Sequence, residues 1–243
     1  MNNLKLKSGT DIENVDAVVP LPVALFILAA VTISMAFITF VLPSWLPGLA
    51  ASLLGPDPKA FWYLSRSSAM VGDALLWVSV VLGLLITNRM ARVWPGGPLA
   101  VDLHQFTSLL GFAFAFLHGI VLLGDRYIGF TPLQLLIPFA SSNYAPVWVG
   151  LGQIAFYLLI PVTFSFYLRR RIGASVWRAL HYATFIVYSF VTVHGMLAGT
   201  DTQSPLALMF YGVTGLSVAF LTVYRMLNLE PARTTRAPAL PRN

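Results

Sequence analysis

Four histidines are the residues best equipped for chemistry in this sequence: His104, His118, His181 and His194. A neutral imidazole ligates transition metals through either ring nitrogen, and the side chain gains or loses a proton near neutral pH. They fall as two pairs on two apolar stretches, with thirteen residues between the first pair and twelve between the second. At about 1.5 Å per residue, the pairs are separated by roughly 21 and 19 Å along helix axes. Where both stretches run in the same direction, His104 lies level with His181, and His118 with His194. Two facing pairs at two depths form the arrangement that clamps two haems, each through two axial imidazoles. A lone histidine in such a stretch is more readily an interhelical hydrogen bond; the pairing at matched depths favours ligation. Each ligating ring must be neutral and is expected to give its other N–H to a backbone carbonyl or similar acceptor. The sequence contains no cysteine, which excludes disulfides, thiolate zinc sites and iron–sulfur clusters in this chain.

Neighbouring residues add expectations. Gly111 stands seven residues from both His104 and His118, so the three share one helix face, and its bare backbone would admit a flat macrocycle. Tyr188, seven residues after His181, is placed to fill the space between two haems. On an ideal helix His194 lies some 140° round from His181, so a bulge or kink near Gly195 is expected. Asp73 lies within an apolar stretch with no partner evident; a protonated interhelix hydrogen bond or a proton path would each account for it. Gly150, Gly152 and Ala155 match a dinucleotide fingerprint as text but open an apolar span with no preceding strand, so they read as helix packing. Gly195 and Gly199 form a small-residue pair that lets helices or haem approach closely.

The elements that must position these residues follow from composition. Of 243 residues, 57% are hydrophobic and only 10% charged, and the mean hydropathy is +0.76. A soluble domain is about 25% charged, so this chain lacks the polar side chains to cover a globular surface. Its apolar stretches are continuous rather than alternating, which excludes a membrane barrel and leaves helices. Six runs are long enough to span a bilayer, at about 20–44, 67–87, 103–124, 147–168, 179–198 and 205–227. The expected fold is an all-α integral membrane protein, a six-helix bundle with the haems between spans three and five. It comprises a leader (1–18), the six-span domain (19–227) and a disordered tail (228–243) rich in Pro, Arg and Thr. The connection from Asp125 to Pro146 is too apolar to float in water and reads as an interfacial segment capping the outer face.

Twelve of the fifteen Lys and Arg residues fall on one side of this arrangement and three, Lys59, Arg66 and Arg126, on the other. The bias places both termini in the cytoplasm and the protein in the cell (inner) membrane. The net charge of +6 therefore reports topology, not nucleic-acid binding.

The segments DLHQFTSLLGFAFAFLHGIVLLGDRYIGF and RRRIGASVWRALHYATFIVYSFVTVHGMLAGTD resemble the ferric reductase-like transmembrane domain superfamily, and WYLSRSSAMVGDALLWVSVVLG extends the likeness. This superfamily includes ferric reductases, the membrane part of NADPH oxidases and the haem subunit of methionine sulfoxide reductase systems. The resemblance implies two haem b groups, the inner held by His104 and His181 and the outer by His118 and His194. It places Arg66 near the outer haem, where its depth also suits propionates. Arg126 is a second outer candidate, and Arg171 and Arg178 are inner ones, although arginines at helix ends also snorkel to lipid head groups. Where oxidase members carry a further histidine this chain has Leu122, which argues against superoxide production. The expected function is electron transfer across the membrane to an outer-side acceptor or redox partner subunit. The donor would be a flavoprotein or quinol, since nothing here binds flavin or nicotinamide. The competing reading is a haem-free anchor or proton- or ion-conducting subunit.

Overall fold

A computed structural model of the chain describes residues 16–54, 60–125, 128–142 and 144–228. The expected leader, for the most part, and the expected tail, together with Lys59 and Arg126, lie outside the described residues. No strand occurs among the described residues. In chain order the helices are α1 (Leu21–Phe40), α2 (Pro47–Leu54), α3 (Ala60–Thr87), α4 (Gly97–Val121), α5 (Pro132–Leu136), α6 (Pro146–Ala198) and α7 (Pro205–Leu227). Proline occupies the first turn of α1, α4, α5, α6 and α7, where its missing N–H costs no hydrogen bond. Ser204 caps α7 by accepting from the Ala207 amide.

Five of these helices, α1, α3, α4, α6 and α7, are long and apolar enough to cross a membrane. The chain is a multi-pass membrane protein. The expectation of separate fourth and fifth spans is corrected in one respect: no loop divides them. α6 runs for 53 residues and departs from helical geometry inside only at Gly173, with φ 80° and ψ 156°. The helix turns back on itself there, since His194 near its end lies 2.8 Å from the Trp148 carbonyl near its start. The charged stretch around 169–178 keeps helix-favouring Arg and Ala, so only the glycine, free to adopt positive φ, interrupts it. Its two arms are residues 146–172 and 174–198. The kink expected near Gly195 is absent; the second arm stays helical to Ala198.

α3 and α4 form an antiparallel hairpin. The central core joins Leu76 of α3 and Phe112 of α4 to Leu159 and Val162 of the first arm of α6 and Val187 of the second. A second cluster packs Val80 and Leu84 of α3 against Tyr188 of the second arm and Val218 and Leu221 of α7. Phe61, at the start of α3, is buried against Met35 of α1 and Val121 of α4. Large apolar side chains elsewhere point outward, among them Phe26, Ile33, Leu206 and Leu216, as expected of faces solvated by lipid.

Candidate functional site

The four histidines meet as two pairs. The rings of His104 on α4 and His181 on the second arm of α6 lie 5.9 Å apart, centre to centre, at an interplanar angle of 75°. The rings of His118 and His194 lie 6.2 Å apart at 65°. The pairs therefore form between parallel stretches of chain at two levels. The angular mismatch between His181 and His194 is absorbed by where each side chain docks, with no change in the helix.

Three imidazoles are anchored through Nδ1. His104 donates to the Ser79 carbonyl at 2.8 Å, His118 to the Ser65 carbonyl at 3.0 Å, and His194 to the Trp148 carbonyl at 2.8 Å. The Ser79 and Ser65 hydroxyls also lie 3.2 and 3.0 Å from the same two nitrogens. A carbonyl only accepts, so each of these Nδ1 atoms carries the hydrogen and Nε2 of the neutral ring keeps its lone pair. In the outer pair both rings are committed in this way, so neither neutral ring has an N–H left for the other. An interhelical His–His hydrogen bond therefore does not explain that pair. His181 is held differently, stacked on Trp177 with centres 5.2 Å apart. The Trp177 indole N–H is buried without an acceptor among the described residues.

Ser65 and Ser79 are site residues that the reading of the sequence missed. They stand fourteen positions apart on α3, the same interval as His104 and His118 on the antiparallel α4. That repeated interval was the available signal.

The His118–His194 pair opens on a cavity of about 480 Å³. Its walls include Arg66, Gly72 and Asp73 of α3, Gly152 and Phe156 of the first arm, Val191 of the second arm and Tyr211 of α7. The segment between α4 and α6 forms a roof over this cavity. α5, fixed by a Thr131–Gln134 capping box, and the turns around it supply Ile128, Phe130, Leu135, Leu136 and Tyr144 to the lining. The roof is tied to α6. Gln153 donates to the Gln134 and Leu135 carbonyls at 2.8 and 2.7 Å, Tyr157 donates to the Leu136 carbonyl, and Tyr144 donates to that of Ala198. The Phe139 ring sits where a Gly150 side chain would be.

The remaining expected site residues are distributed unevenly. Arg66 reaches the cavity wall, ion-paired with Asp201 of the α6–α7 connection and lying 4.0 Å over the Trp62 ring. Asp73 is buried on the same wall with no hydrogen bond or ion pair among the described residues. Leu122 also lines the cavity. Arg178 is exposed one turn before His181, and Arg171 is exposed beside the α6 break. The room that Gly111 leaves is taken by Leu76 of α3, whose side chain would be 3.2 Å from an added Cβ. Tyr188 is buried. It packs into the cluster between α3 and α7 and does not line the cavity. Sequence spacing gave both residues a face but not the neighbour on that face. Gly150 and Gly152 do serve packing, as expected, but against the Phe139 and His194 rings respectively. Gly195 faces Tyr211 of α7.

The pairs suit haem iron. Two metal–imidazole bonds of about 2 Å, with about 1 Å from each nitrogen to its ring centre, put trans axial rings about 6 Å apart. Among the described residues no three His, Cys, Asp or Glu side chains gather to cage a bare ion, whereas a porphyrin brings its own four nitrogens and asks the protein only for axial pairs.

Comparison with known proteins gives the same direction. Two curated relatives are similar over 174 residues, 68% of this chain: the magnetosome protein MamZ of Paramagnetospirillum magneticum, 26% identical, and that of Magnetospirillum gryphiswaldense, 27% identical. The aligned region makes up 25% of each relative's length. No solved structure matches the chain. Residues 68–192, just over half of the chain, match the ferric reductase like transmembrane component family, a segment that contains His104, His118 and His181 and ends two residues before His194. The chain belongs to that family.

Proposed function

We propose that this chain carries electrons across the cell (inner) membrane through two b-type haems, with His104 and His181 holding the inner one and His118 and His194 the outer. The observation that carries the reading is the pair His118–His194: two imidazoles 6.2 Å apart, centre to centre, each with Nδ1–H already given to a carbonyl. When bound, each haem would supply a one-electron iron centre, held by one histidine pair. The serine and tryptophan carbonyls fix ring orientation and raise the basicity of Nε2. The roof shields the outer site from water, and Arg66 offers a positive charge at its wall. In this reading the arms of α6 are two spans, giving six in all with both termini cytoplasmic. With the histidines holding the group, an acceptor at the outer side would be reduced without binding the iron. Electrons enter at the inner side from a separate flavoprotein or from quinol and leave to an outer acceptor such as a ferric chelate or a redox partner subunit. The chain spans a quarter of its curated relatives' length, so partners and acceptor are part of the proposal.

Single substitutions test the assignment. His118→Ala or His194→Ala should remove the outer haem's absorbance and leave an inner haem that cytoplasmic-side donors still reduce. His104→Ala or His181→Ala should do the reverse. Simultaneous loss of both haems from each folded variant would contradict two separately built sites.

A further inference from the structure

Three histidines dock on backbone carbonyls that already belong to helices. In a helix the carbonyl of residue i accepts the N–H of residue i+4, so each dock loads a second donor onto the same oxygen, which has two lone pairs. The residue at i+4 flanks that oxygen, and its Cβ competes with the incoming ring for space. For the Ser65, Ser79 and Trp148 carbonyls that residue is Ala69, Gly83 and Gly152. The crowding is graded. A Cβ added at Gly152 would lie 2.6 Å from His194 Nδ1, 2.7 Å from Cγ and 2.8 Å from Cε1. One added at Gly83 would lie 3.3 Å from His104 Cε1 and 3.7 Å from Nδ1, contacts that a small shift relieves. The His118 dock already carries the Ala69 methyl. Position 152 alone thus meets the face of an imidazole ring at distances no carbon–ring contact sustains, and that ring is itself anchored at 2.8 Å.

We infer that Gly152 is a positioning residue for the outer site: its missing side chain is what allows His194 to lie against the first arm of α6 and reach the Trp148 carbonyl. Any larger residue turns the ring off its acceptor, freeing the tautomer and moving Nε2 away from His118. Gly152 therefore acts through His194. The spectroscopic part of the inference rests on the two-haem reading; the steric part does not.

A double-mutant cycle separates the two. Gly152→Ala is made in the wild-type chain and in a His194→Ala chain, with Gly215→Ala, whose added methyl meets nothing within 4 Å, as the control for adding a methyl to a helix. All are purified in detergent and compared by thermal unfolding, by reduced-minus-oxidised spectra and by the potential of the outer haem. The expected result is that Gly152→Ala alone loses or shifts the outer-haem signal, keeps the inner one and lowers the unfolding temperature. In the His194→Ala chain the same methyl costs nothing further, because the ring it struck is gone. Gly83→Ala changes the inner haem less than Gly152→Ala changes the outer. If Gly152→Ala alone does not accumulate, the double variant should accumulate as His194→Ala does. An unchanged outer haem in Gly152→Ala overturns the inference. So does an equal loss of stability with and without the His194 ring, or failure of the double variant to accumulate where His194→Ala does. A wild-type chain without haem would end the two-haem reading, and the unfolding arm of the cycle would still decide the role of Gly152.

Discussion

At the scale of single residues, the site is defined as much by acceptors as by ligands. The histidines were legible because ionisable side chains inside membrane helices stand out and their spacings pair in depth. Their anchors were not, because a carbonyl belongs to every residue and only the fold selects which one faces an imidazole. Ser65 and Ser79 left a trace in their shared interval; Trp148 left none. Arg66 illustrates a different limit. Its depth was readable, but its partner, Asp201, lies 135 positions away in the connection before α7. That pairing makes a two-sided prediction. A positive charge beside an iron centre favours the more electron-rich reduced state, so Arg66→Ala should lower the outer haem's potential. Asp201→Asn, which leaves Arg66 uncompensated, should raise it. Each shift is on the order of 1 kcal/mol, roughly 40 mV for one electron, in a partly solvated site. Redox titration of the two variants checks the signs; equal signs would place the pair away from the outer site.

At the scale of elements, α6 carries the most consequence. It supplies Trp148 and Gly152 from one arm and His181 and His194 from the other, and the arms diverge at a single residue. Apolar runs separated by arginines read as two spans with a loop between. That reading went astray over the loop because Arg and Ala are good helix formers, leaving only Gly173 to change direction. An added Cβ there meets nothing within 4 Å, so the cost of Gly173→Ala is conformational alone. A non-glycine residue at φ 80° and ψ 156° costs about 1–3 kcal/mol. Gly173→Ala should lower the unfolding temperature and loosen the His118–His194 pairing together. A variant as stable as the wild type, with unaltered spectra, would show that the break is not needed. The second arm stays helical to Ala198, and both its histidines still meet their partners on α4.

At the scale of the whole molecule, the conduit proposed above depends on partners. Arg89, Arg92, Arg171 and Arg178 fall on the side proposed to be cytoplasmic, and Arg171 and Arg178 are exposed. An acidic donor would be steered to such a face, with association weakening as salt rises. Reversing both charges, Arg171→Glu with Arg178→Glu, should slow donor-driven haem reduction several-fold at low ionic strength without changing membrane insertion. Normal kinetics would assign these arginines to topology and anionic lipid. Where electrons come from a separate flavoprotein or from quinol, as proposed, the purified chain should accept electrons from dithionite but oxidise neither NADH nor NADPH.

The central claim is that each histidine pair holds one haem. The direct test is haem quantification on the purified chain combined with a potentiometric titration of its α band. The account predicts two haem b per polypeptide, both six-coordinate and low-spin, reduced in two one-electron steps. A preparation that folds and inserts normally yet contains no haem, or only one that survives removal of either histidine pair, would contradict it.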